Sequence, residues 1–144
     1  MRRYGLIGLK LGHSFSARYF AEKFQREGLA GECSYDLYEL PSIECVTDFI
    51  RNTDSLQGFN VTIPYKKDVL PYCSYLSDAV KRIGSANTLV RKADGWHAYN
   101  TDYFGFIYML HRKGISVSGK KVLVLGTGGA ASAVFYALKT LGAA

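Results

Sequence analysis

Short apolar runs alternate with stretches of helical period along this 144-residue chain, and that alternation limits its fold more than any other feature. YGLIGL (4–9), SYDLYEL (34–40), LQGFNVTI (56–63) and KKVLVLG (120–126) are too short for buried helices and lie among turn residues, the pattern of strands. Ala17, Phe20, Ala21 and Phe24 recur at i, i+3, i+4 and i+7, an amphipathic helix. Ser14 or Ser16 is placed to cap it and Gly28 to end it. Ser42 caps a second helix with inner face Ile43, Val46, Phe49 and Ile50. Short helical pieces are predicted at 65–72 and 77–83, and a longer helix over 102–113 with Gly114 as its stop. ANTLVRKADGWHAYN (86–100) reads as a hairpin turning at Asp94-Gly95. Together these predict an α/β fold, an open, mainly parallel, three-layer sheet with one antiparallel hairpin strand. A boundary is expected near residues 102–119, where one helix leads through GISVSGK into a fresh βα unit.

Composition matters where it excludes classes. Hydrophobic residues make up 48% and charged residues 21%, enough for a packed core and against disorder. The basic, then apolar start MRRYGLIGLKLGHS is broken by Gly5, Gly8, Lys10 and Gly12 and lacks a small-residue cleavage site. It reads as strand and loop rather than a signal peptide, so a cytoplasmic protein is expected. No apolar run approaches the roughly 20 residues that cross a bilayer, so no membrane partner is expected. Cys33, Cys45 and Cys73 have no CxxC spacing and read as reduced, structural thiols. His13, His97 and His111 lack metal-ligand spacing, so no metal is assigned. The net charge of +6 favours an anionic partner. No dense basic block or aromatic-interleaved basic stripe occurs, which points to a small anion rather than nucleic acid. A merely solvated basic surface would give the same balance.

Four motifs carry chemistry. In GFNVTIP (58–64), a period of two sends Phe59, Val61 and Ile63 one way and Asn60 and Thr62 the other. A buried parallel strand is normally apolar on both faces. Two polar side chains near its C-terminal end therefore want a partner, and that end is where open α/β sheets bind ligands. Lys66, just past Pro64, can reach back over the strand end. A polar strand edge facing water is the alternative. HSFS (13–16) sets two hydroxyls, Ser14 and Ser16, at a helix start, suited to a carboxylate or phosphate, or simply to capping. Asn87 in GSANTL and Asp102 in YNTD both stand at junctions between helix and strand, where Asp102 could be only a cap. GTGGAA (126–131) follows an apolar run and opens a helix, fitting G-x-G-x-x-A at Gly126, Gly128 and Ala131. That is the context for holding a dinucleotide pyrophosphate, though a tight turn alone could use the same glycines. The last unit is thus expected to be the first βα unit of a Rossmann domain.

HSFS, GFNVTIPYK, GSANT, YNTD and GTGGAA, in this order and spacing, resemble the shikimate dehydrogenase family with its quinate/shikimate relatives. The resemblance runs from about residue 4 to residue 144. It implies an NADP-linked, reversible reduction of 3-dehydroshikimate to shikimate, a step towards aromatic amino acids, with NAD not excluded. Ser14 and Ser16 match serines that hold the substrate carboxylate. Asn60, Thr62, Asn87 and Asp102 match positions binding ring hydroxyls. Lys66 matches the catalytic lysine and Asp102 its partner. Gly126, Thr127, Gly128, Gly129, Ala130 and Ala131 match the phosphate-binding turn, and Asp78 a position near the cofactor. The division implied is a shikimate-binding catalytic domain over 1–101, a connecting helix and linker over 102–118, and the start of an NADP-binding domain over 119–144.

Family members continue with most of a Rossmann domain and with helices that return to the first domain. The chain is therefore expected to be a truncated form, inactive alone. Its residues 118–144 are expected to be loosely held or borrowed by a neighbouring copy, giving a homo-oligomer. Ala98 and Tyr103 stand where the family usually has glycine, and Tyr103 is expected to narrow the pocket or alter its ring-hydroxyl preference. A quinate/shikimate or other cyclic-polyol dehydrogenase, or a non-catalytic shikimate-binding module, are the competing readings.

Overall fold

The computed structural model describes all 144 residues. Six strands form one sheet: β1 (Arg2–Gly8), β2 (Cys33–Glu39), β3 (Leu56–Val61), β4 (Tyr75–Leu76), β5 (Thr88–Lys92) and β6 (Gly95–Tyr99). Their order is β2-β1-β3-β5-β6-β4. β1 pairs in parallel with β2 and β3, and β4 with β6. β5 runs antiparallel to both β3 and β6, so it alone is reversed. The mainly parallel sheet with one antiparallel hairpin strand is thus observed. The two-residue β4 at the edge has no signal in the sequence pattern.

Period-two alternation sorts the strand side chains between two layers. Leu6 and Tyr35 point to one face, where Phe20 and Phe24 of α1 (Ser16–Arg26) cover them. Ile7, Phe59 and Val61 point to the other, into the main core with Val46 and Phe49. Trp96 of β6 belongs to that core, its ring centroid 4.9 Å from that of Phe59. Burying each such side chain is worth about 1.5–3 kcal/mol, which fixes the register of β3: a slip of one residue would put Asn60 into the core.

The second helix is shorter than predicted. A 3₁₀ turn at Ile43–Cys45 leads into α2 (Val46–Asn52). The helix expected at 65–72 does not form: the segment is a series of turns ending in a 3₁₀ turn, Leu70–Tyr72. Lys66 gives its carbonyl to the Ala86 N–H at 2.8 Å, and Pro71 has no N–H to donate. α3 (Asp78–Ile83) is capped by Ser77, whose Oγ accepts the Val80 N–H at 3.4 Å, and stops at Gly84 with φ +72°.

The strand predicted at 120–126 is absent. Those residues have no regular structure, and Leu123 and Leu125 are 84% and 87% exposed. A strand needs a ladder partner, and every strand of the sheet lies before residue 100. The helix after it does form. α5 (Gly129–Thr140) packs on α4 (Asp102–Arg112) through Leu138 and Leu110, with Val117 of the linker completing a small core separate from the main one.

Candidate active site

Because five strands run one way, their C-terminal ends share one rim of the sheet. The reversed β5 brings its N-terminal end there too, with Thr88 paired to both Asn60 and Tyr99. Every loop that bears a motif opens on this rim. Its cavity, about 410 Å³, is lined by Leu6, Lys10, Leu11, His13, Ser14, Ser16, Asn60, Val61, Thr62, Lys66 and Asn87. Two glycines make the close packing possible. A Cβ at Gly8 would lie 2.7 Å from Thr62 Cγ2 and 2.8 Å from Leu11 Cδ2. A Cβ at Gly129 would lie 3.0 Å from Lys66 Cβ.

The charged pair closes one end. Lys66 Nζ donates to Asp102 Oδ2 at 2.7 Å, the two side chains being 15% and 30% exposed. Asn87 Nδ2 donates to Asp102 Oδ1 at 2.8 Å, so both carboxylate oxygens are engaged. Asn87 Oδ1 accepts the Thr101 N–H at 2.9 Å and the Thr88 hydroxyl at 3.0 Å. Asn100, 2% exposed, accepts the Asp102 N–H at 3.0 Å and donates to the Ser85 carbonyl at 3.0 Å. It holds the first turn of α4 in place. At the other end, Ser14 Oγ accepts the Ser16 N–H at 3.2 Å. No side chain caps α1 at its formal N-cap, Phe15. Asn60 lies between, its Oδ1 accepting the Tyr35 hydroxyl at 2.7 Å. Burial pushes the Tyr35 phenol up to about 12, and the nearby Ser16 hydroxyl opposes that rise. Lys10 and His13 add basic side chains to the Ser14 end, so the cavity suits an anion there and hydroxyl groups at the Asp102 end.

The predicted substrate-site residues are thus brought together: Ser14, Ser16, Asn60, Thr62, Lys66 and Asn87 line the cavity, and Asp102 joins them through Lys66 and Asn87. Asp78, expected near the cofactor rather than in the cavity, is exposed at the start of α3, 3.7 Å from Lys81. Tyr103 does not narrow the cavity: its ring meets Tyr136 of α5 edge-on at 5.2 Å. Tyr35, Thr88, Ser85 and Asn100 are the site's supports that sequence reasoning did not single out as site residues. An in-facing Tyr on β2 and a Thr on a hairpin strand look like ordinary sheet residues until the register is known.

The GTGGAA turn stands beside this site. Gly126 has φ +131°, and α5 starts at Gly129, whose carbonyl accepts the Ser85 hydroxyl at 3.2 Å. The first turn of α5 carries no acidic side chain, and a Cβ at Gly128 would meet nothing within 4 Å. Free N–H groups facing open space fit a diphosphate. No strand of the sheet stands beside the turn, so the residues present fit the diphosphate portion only.

The family model described as the shikimate dehydrogenase substrate binding domain matches residues 6–89. A curated NADP(+) shikimate dehydrogenase from Caldicellulosiruptor saccharolyticus is 39% identical over 145 residues, covering 99% of this chain and 51% of that protein. The crystal structure of shikimate dehydrogenase 1 from Peptoclostridium difficile is 36% identical with a TM-score of 0.89, covering 99% of this chain and 54% of that one. Shikimate dehydrogenase from Thermus thermophilus, solved in complex with NADP(H) and shikimate, is 32% identical with a TM-score of 0.87, again covering 99% and 54%. The chain spans about half the length of the curated relatives it matches.

Proposed function

From its membership of the shikimate dehydrogenase substrate-binding domain family, to which this chain belongs, we propose that it is the substrate-binding half of an NADP-dependent shikimate dehydrogenase. The observation that carries the reading is the 2.7 Å Lys66–Asp102 pair at one end of a cavity whose other end holds Ser14 and Ser16. The substrate carboxylate lies at the Ser14 and Ser16 hydroxyls beside the start of α1. The ring hydroxyls lie toward Asn60, Thr62, Asn87 and Asp102. Lys66 Nζ gives or takes the proton of the reacting ring oxygen, and Asp102, held by Asn87, aims the ammonium at that oxygen. NADP, or NAD in its place, supplies the hydride acceptor or donor when bound with its diphosphate at residues 126–131. Asp78 is assigned near the cofactor on the resemblance alone.

The division that goes with this reading is substrate binding by residues 1–101, a connection over 102–118 and the opening of the cofactor unit over 119–144. The separate small core of α4 and α5 supports it. The chain binds 3-dehydroshikimate or shikimate and does not turn it over alone, because the fit at residues 126–131 extends to the diphosphate only. Exposed Leu123 and Leu125 support self-association through residues 118–144. A monomer at every concentration in light scattering would refute that. Three free cysteines and the absence of any helix long and apolar enough to cross a membrane support a cytoplasmic setting.

The test is a shikimate titration of the 144-residue chain followed by heteronuclear NMR. Shifts are expected at Ser14, Ser16, Asn60, Thr62, Asn87 and Asp102, and no turnover with NADP added. Shifts confined to other regions, or none at millimolar shikimate, would overturn the reading.

A further inference from the structure

Tyr35 lies beneath the site rather than in it. Its ring, 9% exposed, is stacked on Phe20 with centroids 4.2 Å apart and planes 12° apart. Its hydroxyl donates to Asn60 Oδ1 at 2.7 Å. On the far side of the same amide, Asn60 Nδ2 donates to Thr88 Oγ1 at 3.1 Å and to the Asn87 carbonyl at 3.2 Å. Thr88 Oγ1 donates on to Asn87 Oδ1 at 3.0 Å, and Asn87 Nδ2 to Asp102 Oδ1 at 2.8 Å. Donors and acceptors therefore run in one direction, from Tyr35 through Asn60, Thr88 and Asn87 to the carboxylate that holds Lys66. A side-chain amide has two hydrogens and two carbonyl lone pairs. Both Asn60 hydrogens are spent within the protein, and one lone pair takes the Tyr35 proton. What remains for a ligand is a single acceptor.

We propose that Tyr35 is a positioning residue that sets the ligand's orientation, because its hydroxyl pins Asn60 as a hydrogen-bond acceptor. An acceptor welcomes a ring hydroxyl and disfavours a carboxylate, which is then left to the Ser14 and Ser16 end. With the tyrosine hydroxyl gone, Asn60 Oδ1 loses its partner, and only the two N–H bonds to Thr88 and the Asn87 carbonyl still hold the amide, so its acceptor is less firmly aimed. The ligand chemistry rests on the reading proposed above, whereas the pinning of Asn60 does not.

The experiment uses Tyr35→Phe, which keeps the stacked ring, and Phe20→Leu, which weakens the stack and keeps the hydroxyl. In the unliganded chain, solvent exchange of the Asn60 side-chain amide protons should quicken about tenfold in Tyr35→Phe, the scale of one lost hydrogen bond. In Phe20→Leu it should hold within about threefold. Unchanged exchange in Tyr35→Phe, or equal quickening in both variants, overturns the proposal. Binding is then compared for shikimate and for cyclohex-1-ene-1-carboxylate, which has the acid and no ring hydroxyls. Tyr35→Phe should cut the preference for shikimate about tenfold, and Phe20→Leu should leave the ratio unchanged while lowering stability. A preserved ratio in Tyr35→Phe refutes the orienting role. If the wild type binds neither compound, the functional reading fails, and the exchange measurement still decides the pinning.

Discussion

Replacing Asp102 with Asn and Lys66 with Met, singly and together, tests whether their pair is held by the fold. At 2.7 Å the gross attraction is about 6 kcal/mol for an effective dielectric of about 20. Desolvation of both groups returns most of it. Exposed pairs net about 0–1 kcal/mol, and breaking fully buried ones costs about 3–5 kcal/mol. Side chains 15% and 30% exposed fall between, so a coupling of about 2 kcal/mol is expected. The two single losses should differ. Asp102→Asn strands the better buried ammonium, at about 2 kcal/mol, whereas Lys66→Met leaves a carboxylate still served by Asn87, at about 1 kcal/mol. The double variant should sit about 1 kcal/mol below wild type, since no lone charge remains. Urea unfolding of all four proteins at neutral pH, in low and high salt, measures the cycle. Coupling below about 0.5 kcal/mol, loss of most of it in salt, or the opposite order of the single losses would refute the reasoning.

Other outcomes follow from packing and titration. Ile7→Ala empties a fully buried position of the main core and should cost about 2–5 kcal/mol in urea unfolding, with a loss under about 1 kcal/mol contradicting the core assignment. Gly129→Ala should destabilise by about 1–3 kcal/mol because its Cβ meets Lys66 at 3.0 Å and 3.3 Å, outweighing a helix-propensity gain of at most about 1 kcal/mol. An alanine variant more stable than wild type would show that Lys66 gives way freely. Burial pushes the Cys73 thiol up to about 11 and the Tyr35 phenol up to about 12, from 9.0 and 10.0. Both favour the protonated form in the folded chain. Their stabilisation is complete below the unfolded values and is lost as pH rises through the folded ones. Urea midpoints should therefore fall above about pH 9, and less steeply in Cys73→Ala.

The sheet was legible because Leu6 and Ile7, or Phe59 and Asn60, announce opposite faces by alternation, and the Asp94-Gly95 turn announces the hairpin. KKVLVLG shows the limit of that reasoning. Its apolar pattern states a preference for a strand, yet pairing is a property of the neighbourhood, and no strand lies beside it. Lys66 and Asp102 could be named from motifs, but their direct meeting depends on the turn after β3 and the start of α4 sharing one rim, where Asn87, just before the reversed β5, holds the other carboxylate oxygen. Tyr35 and Thr88 stayed hidden because their importance arises from register, which places Thr88 against Asn60. Tyr103 next to Asp102 invited a steric argument that the helix geometry removes, since its ring turns to Tyr136.

Trp96 is the chain's single indole, and it lies against Phe59 in the main core, not on the cavity wall. Tryptophan emission, excited selectively, will thus report the melting of the sheet while staying largely blind to what enters the rim. A compound can bind there and leave the emission spectrum unchanged, so screening this protein calls for a probe attached near the serine loop.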